Sequence, residues 1–389
     1  MIDKLRQEFE KIYFSNISTT KGLENLALNI GVSKNSLRRF LGKIKNDSQL
    51  RISTLNLISE RLGYRNFQDF CNSSEGSAPI LDFDLLDIYY GIVKGKGTTL
   101  NETRFQNANY YFSKKILSHP GNLKEFLKRF AGNEEALEYV LAWHPSYEHI
   151  ANEDYQEALL KMAKMSSKAH IRVFAYAFVY FGKFMSQKLE MMEADKLLQN
   201  LEKQVPKMRK ESGFMVFPEA RYTIAKCIHS AQFSGAAENK TLQSGFQLEH
   251  AVTDLSFGDQ LIYTTYVSNI LNMLKDNENA DLLLSWIPSD KKLKLFSDEN
   301  FHLKTHVYLY RITRAITLFH LGRKKECLAI FEGLSFENND IRTFSFDSQI
   351  YFELQYYFLG CKLHPKRRDF KEKFELLVQK TQFTYLRKA

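Results

Sequence analysis

Cysteine is scarce in this chain, and the four present, Cys71, Cys227, Cys327 and Cys361, lie far apart with no CxxC pair. That spacing argues against a disulfide framework or a structural zinc site and predicts reduced thiols, hence a cytoplasmic protein. Long apolar runs are also lacking. The longest, Val173 to Gly182, is about half of what a membrane span requires, so no membrane partner is expected. The opening, MIDKLRQEFEK, is charged throughout, where a secretory signal needs an apolar stretch. Serine and cysteine nucleophile motifs are missing as well.

What remains of catalytic signal is thin. The stretch GIVKGKGTT, Gly91 to Thr99, resembles a phosphate-cradling loop but has one residue too few between its first glycines. Gly97 also separates Lys96 from Thr98, displacing the hydroxyl that should reach magnesium, so a loop between helices is the expected reading. His302 and His306 stand at i, i+4, yet no Glu lies between them and no third metal ligand is apparent. Asp82, Asp84 and Asp87 could pair carboxylates, but a helix N-terminus attracts aspartate without any catalysis. The expectation is a protein that is not an enzyme, with no cofactor and no metal.

Charge is present, and it is uneven. Of the net +9, residues 1–75 hold twelve Lys/Arg against eight Asp/Glu, and residues 362–389 hold nine against three. The long middle is therefore close to neutral. Within residues 31–51 six cations (Lys34, Arg38, Arg39, Lys43, Lys45, Arg51) face Asp47 alone. Such a local excess is the footprint of a polyanion-binding module, although charge by itself favours the solvated-face reading, because charge runs are usually just surface. In the basic tail, KLHPKRRDFKEKF, the cations Lys366, Arg367, Arg368, Lys371 and Lys373 could extend such a footprint or simply solvate the last helix, and the stripe Phe370, Phe374 and Leu377 favours the solvated helix with a core-facing side.

Helix signals come in quick succession before residue 75. Asp3 is placed to cap a first helix through Phe14, with Leu5, Phe9 and Tyr13 recurring every fourth residue. Thr19 or Thr20 opens a second, whose inward face is Leu23, Leu26, Ala27 and Ile30. Gly31 ends it, because glycine takes the left-handed C-cap conformation without penalty. Ser33 caps the third helix, with Val32 packing back before it. There Leu37, Phe40 and Leu41 point inward and Lys34, Asn35, Arg38 and Arg39 are left outside. Asn pairs bidentately with adenine and Arg with guanine, a mixture that a merely solubilising face does not need. Lys43 and Lys45, just past the helix, are placed to hold phosphates.

Ala27, Gly31 and Leu37 have the spacing of the helix-turn-helix signature, and Ile30, Val32 and Phe40 fill its other apolar positions. With ISTLNLISERLGY as a fourth helix (Leu55, Ile58 and Leu62 inward) and NFQDFC as a fifth, residues 1–72 resemble a lambda-repressor-like domain. Two departures stand out. Thr20–Lys21 occupies the place where many such domains carry a glutamine, and the segment from Gly42 to Leu55 is a few residues longer than usual.

NSSEGSAP, residues 72–79, supplies a Ser/Gly/Pro-rich break, so a linker is expected over 73–79 and a second domain over 80–389. That domain reads as aromatic-rich helices. Phe178, Phe181, Gly182, Met185, Ala194, Leu198, Leu201 and Pro206 reproduce tetratricopeptide spacing, in which a small residue on one helix meets a small residue on the next. A weaker copy runs through Ala315, Leu318, Cys327, Phe331 and Leu334, with a reduced cysteine in the usual alanine place.

The expected fold is therefore all-α: a small N-terminal helix-turn-helix bundle followed by a tetratricopeptide-like α-solenoid. This combination resembles the peptide-sensing regulators of bacteria and their phages. The resemblance implies a homodimer on double-stranded DNA, contacted by Lys34, Asn35, Arg38, Arg39, Lys43 and Lys45, with a peptide or protein effector in the repeat groove. The competing reading is a helical-repeat scaffold that uses its helix-turn-helix for protein contacts.

Overall fold

The computed structural model describes residues 1–44, 50–62, 64, 66–74, 81–93, 103–233, 255–287, 290–299, 304–334 and 346–388. All regular structure among them is helical, and none of these helices is long and apolar enough to cross a membrane. The chain divides into two compact units, residues 1–83 with 118–126, and residues 84–117 with 127–389.

In the first unit, α1 (Ile2–Ile17), α2 (Thr20–Ile30), α3 (Lys34–Phe40), α4 (Ile52–Arg61) and α5 (Phe67–Ser74) surround one apolar core. The expected every-fourth stripe of α1 is buried and extends one step further, to Ile17, so the helix outruns Phe14. Asp3 does not cap it. The helix already starts at Ile2, and the Asp3 carboxylate instead accepts from Arg6 at 2.8 Å. The Tyr64 hydroxyl donates to Glu8 at 3.1 Å and that of Tyr13 to the Arg61 carbonyl at 3.4 Å, tying α1 to the second half of the bundle. Of the expected linker, residues 73 and 74 finish α5 and residues 75–79 lie outside the described residues.

The second unit continues as α6 (Phe83–Val93), α7 (Thr103–Leu117), α8 (Pro120–Arg129, which the division crosses), α9 (Glu134–Leu141) and α10 (Glu153–Met165). Then come α11 (Ala169–Met185), α12 (Met191–Ser212), α13 (Val216–Phe233), α14 (Phe257–Met273) and α15 (Asn277–Ser285). The last are α16 (Asp290–Glu299), α17 (Lys304–His320), α18 (Lys324–Glu332), α19 (Phe346–Leu363) and α20 (Arg368–Thr381), before a short 3-10 turn at Thr384–Arg387.

Sequence neighbours pack as hairpins: α11 with α12, α14 with α15, α17 with α18 and α19 with α20. The leading helices also pack on one another in order, α11 on α13, α13 on α14, α14 on α17 and α17 on α19. The apolar run noted in the sequence is the middle of α11, a helix buried on nearly all sides, as a helix apolar all round must be.

Polar side chains cross the buried seam of the leading helices. Asn272 donates to the Thr317 hydroxyl at 2.9 Å, Asn269 to that of Thr313 at 3.3 Å, and the Tyr351 hydroxyl to Asn269. Such bonds fix how far one helix can slide along another, because a shifted register strands the amides without partners.

The chain end returns to α11. Gln187 donates to the Thr384 hydroxyl at 2.8 Å, Thr384 donates to the Ser186 carbonyl at 3.3 Å, and the Phe184 and Tyr385 rings lie 4.3 Å apart. Tyr385 also donates to the Met273 carbonyl at 3.1 Å. Between these walls the interior is aromatic: Tyr147 stacks on Tyr351 at 4.8 Å, and Phe181 meets Phe383 at 5.9 Å.

Gly182 packs tightly. A Cβ there would meet the Ile150 carbonyl oxygen at 2.4 Å and its Cγ1 at 2.6 Å. Ala194, the small residue expected to face it, is fully buried on α12. Gly182→Ala should cost about 1–3 kcal/mol, because backbone must move to admit the methyl. Equilibrium unfolding in urea checks this, and a loss under about 0.5 kcal/mol would mean the segment at Ile150 yields freely.

Glu138 is the buried charge of α9. Trp143 Nε1 donates to it at 3.0 Å, Lys168 pairs with it, and His170 Nε2 lies 3.7 Å away. Burial alone raises its pKa, but the contacts with His170, Lys168 and Trp143 outweigh burial and lower it to about 2 from 4.5. A depressed folded-state pKa gives stability that is present above the unfolded value and lost as pH falls. Thermal unfolding of the wild type should therefore weaken between about pH 4.5 and 2, and Glu138→Gln should flatten that part of the profile. Parallel profiles for the two proteins would remove Glu138 from the account.

Candidate nucleic-acid interface

The α2–α3 turn is assembled from three local rules. The Thr19 hydroxyl accepts from the Gly22 amide at 3.0 Å and starts α2. Gly31 ends it at φ +80°, and the amides of Gly31 and Val32 reach back to the carbonyls of Leu28 (3.1 Å) and Ala27 (3.0 Å). That crossed pair of bonds is the Schellman arrangement. The Ser33 hydroxyl then accepts from the Ser36 amide at 3.0 Å and starts α3.

Packing decides which way α3 faces. Leu37 and Phe40 are fully buried, and the Phe40 ring meets Phe9 of α1 edge-on at 5.5 Å. Arg6 Nε donates to the Phe40 carbonyl at 2.5 Å, so α1 also holds the C-terminal end of α3.

With the core side fixed, the outer side carries the expected residues in unequal states. Asn35 is exposed and Arg38 half-buried, and among the described residues neither side chain has a hydrogen-bond or ion-pair partner. They are three apart and share one face of the helix. Arg39 is half-buried beside them. Lys34 is paired with Glu24 of α2. Lys43 is exposed, but its ammonium donates to the Ile17 carbonyl at 2.5 Å. Lys45 lies outside the described residues, as does most of the longer segment noted between Gly42 and Leu55.

Both partnered lysines were invisible in the sequence. Glu24 and Lys34 are ten positions apart, and only the angle between α2 and α3 brings them together. Lys43 reaches a carbonyl at the end of α1 because Gly42, at φ +67°, turns the chain there. A free C-terminal helix carbonyl was the one available signal, since such carbonyls need donors.

Asp84 and Asp87 both accept from Arg129, at 2.6 and 3.0 Å. Residues 94–99 of the glycine loop and His302 lie outside the described residues, while His306 is buried beside the rings of Phe217 and Tyr266. Among the described residues no three His, Cys, Asp or Glu side chains are grouped to hold a metal. In the basic tail Phe370, Phe374 and Leu377 are buried, and Arg367 pairs with Asp369 and lies over the Phe370 ring at 4.2 Å.

No family model, curated protein or solved structure matches this chain.

The turn makes its own prediction. Open space surrounds the Gly31 α-carbon, so Gly31→Ala should cost only the left-handed backbone term, about 1–2 kcal/mol. Ser33→Ala should remove the cap of α3 at about 1 kcal/mol. Urea unfolding followed through the first unit checks both, and two silent substitutions would mean that α3 owes its place to packing alone.

Proposed function

We propose that the chain is a DNA-binding transcriptional regulator whose first unit is a helix-turn-helix domain and whose second unit is a tetratricopeptide-like receptor array. The observation that carries the reading is the outer face of α3. Among the described residues Asn35 and Arg38 are unpartnered there, on a helix anchored from behind by Phe40 and Arg6. A rigid short helix with one amide and one guanidinium free is suited to base edges in a major groove, while Arg39, Lys43 and Lys45 are suited to phosphates. The hairpins of the second unit, leading helix packed on leading helix, support the repeat reading. An effector that favours one arrangement of that unit over another would change DNA affinity by its difference in affinity for the two.

A protein-contact role is the second reading, and one observation favours it: Lys34 and Lys43 already have partners. The Lys34–Glu24 pair is largely exposed, however, and such pairs contribute about 0–1 kcal/mol, so phosphate can compete for the lysine.

Fluorescence anisotropy with duplex DNA separates the two. Affinity should fall steeply with added salt as counterions are released. Asn35→Ala or Arg38→Ala should cost about 1–3 kcal/mol on the preferred site and relax one base position. Lys43→Ala should weaken all sequences alike. Glu24→Gln should tighten binding by a few-fold, because it removes a like charge from the phosphates and frees Lys34. No binding at low salt, or identical behaviour of all four variants, would leave the scaffold reading in place.

A further inference from the structure

The basic tail does not stand alone at its end of the second unit. Asn269 of α14 donates to Thr313 of α17, and Asn272, one turn on, donates to Thr317, one turn on. The two helices therefore run in the same direction and end together. Lys275 closes α14 at φ +66°, the conformation in which Gly322 closes α17 at +76°. The Tyr351 hydroxyl ties α19 to the same Asn269. The far end of α19 reaches this edge too. His320, the last residue of α17, is held below its ordinary pKa by partial burial and then by the ammoniums of Lys362 and Lys275. The turns α14–α15, α17–α18 and α19–α20 thus share one edge.

That edge is rich in free cations. Lys275, Lys324, Lys325, Lys366 and Arg368 are exposed, and among the described residues none of them has a hydrogen-bond or ion-pair partner. The acids beside them are mostly engaged. Glu326 holds Arg323 at two points, 2.6 and 2.8 Å, and Asp369 is paired with Arg367. Asp276 accepts from Asn279 at 2.8 and 3.0 Å, and Glu278 is exposed, so five free cations outnumber these two acids. A single run of lysines is usually just solvated surface. Here the cations come from three turns that are distant in sequence and converge only in the fold.

The edge also has a revealing chemistry. Among the described residues, none of the exposed large apolar side chains lies in these turns. A protein partner is held chiefly through apolar and aromatic anchors, and single-stranded nucleic acid through rings on which bases stack. A duplex backbone needs neither, only spaced positive charge. Packed helices lie about 8–10 Å apart, so three successive turns span about 20 Å, over which one strand of a duplex carries about six phosphates.

We propose that this edge is a second, sequence-independent contact to the backbone of duplex DNA, made by Lys275, Lys324, Lys325, Lys366 and Arg368. The choice of ligand rests on the function proposed above, while every residue of the contact belongs to the second unit.

Fluorescence anisotropy of the full chain over a salt series tests it, on a duplex selected for binding and on an unrelated duplex of equal length. One variant combines Lys275→Gln, Lys324→Gln, Lys366→Gln and Arg368→Gln. It should flatten the slope of log affinity against log salt by about three to four on both duplexes, since each lost phosphate contact removes about 0.9. Discrimination between the duplexes should stay at its wild-type value. An unchanged slope overturns the proposal, and so does lost discrimination with the slope kept. If the variant loses its helical circular dichroism, Lys324→Gln with Lys325→Gln decides instead, at a change of about two. Poly-L-glutamate that competes as well as the unrelated duplex assigns the edge to an acidic protein and overturns the DNA contact. Arg38→Ala in the same assay keeps the two readings apart. Reduced discrimination there, beside an edge variant that behaves as wild type, leaves α3 standing and sinks the edge. The reverse pattern leaves the edge standing and sinks α3. No binding of either duplex at low salt overturns both.

Discussion

The second unit depends on burying α11. That helix is apolar almost all round, so no single neighbour can cover it, and leaving any face wet would cost about 25 cal/mol for each exposed Å². Its cover comes from α10, α12, α13 and the C-terminal 3-10 turn together. The consequence reaches the far end of the chain. Because Phe383 and Tyr385 close over α11, the last helices are drawn back toward the middle of the unit. The interior becomes a packed aromatic centre with a small cavity, and α14, α17 and α19 are held in register around it by the Asn269 and Asn272 bonds.

The first unit solves a smaller problem by a different route. Its helices are short, and a short helix has little stability of its own. Caps and turns therefore matter as much as area: Thr19, Gly31 and Ser33 each satisfy backbone groups that would otherwise be unpaired. Phe9 and Arg6 then hold α3 from behind, one through a ring edge and the other through a carbonyl. Orientation of the outer face follows from those two anchors.

Charge is used in two ways. In the first unit, cations sit at the surface, where they act over a distance of about 10 Å and remain sensitive to salt. In the second, buried ions stand in defined partnerships, Glu138 with Lys168 and Glu219 with Arg209. Arg221 is the departure from that pattern, its guanidinium resting on the rings of Phe174, Phe178 and Phe217.

Features that depend on near neighbours were legible in the chain before it folded. Helical periodicity, the Gly31 stop, the Ser33 cap and the inward set Leu37, Phe40 and Leu41 all belong here, because each rests on contacts within a few residues or on the 3.6-residue repeat. The all-helical class was legible for the same reason. Everything else waited for the helices to pack. Which of the α3 cations stay free depends on the angle at which α2 approaches, since Glu24 and Lys34 meet only across that angle. The close approach of Gly182 to Ile150 depends on where the chain before α10 is laid down. The cage around Arg221 draws Phe174 and Phe178 from α11 and Phe217 from its own helix, and the cavity adds Tyr351 from more than a hundred residues away. Spacing along a chain encodes faces, but distances between faces exist only once the helices have packed.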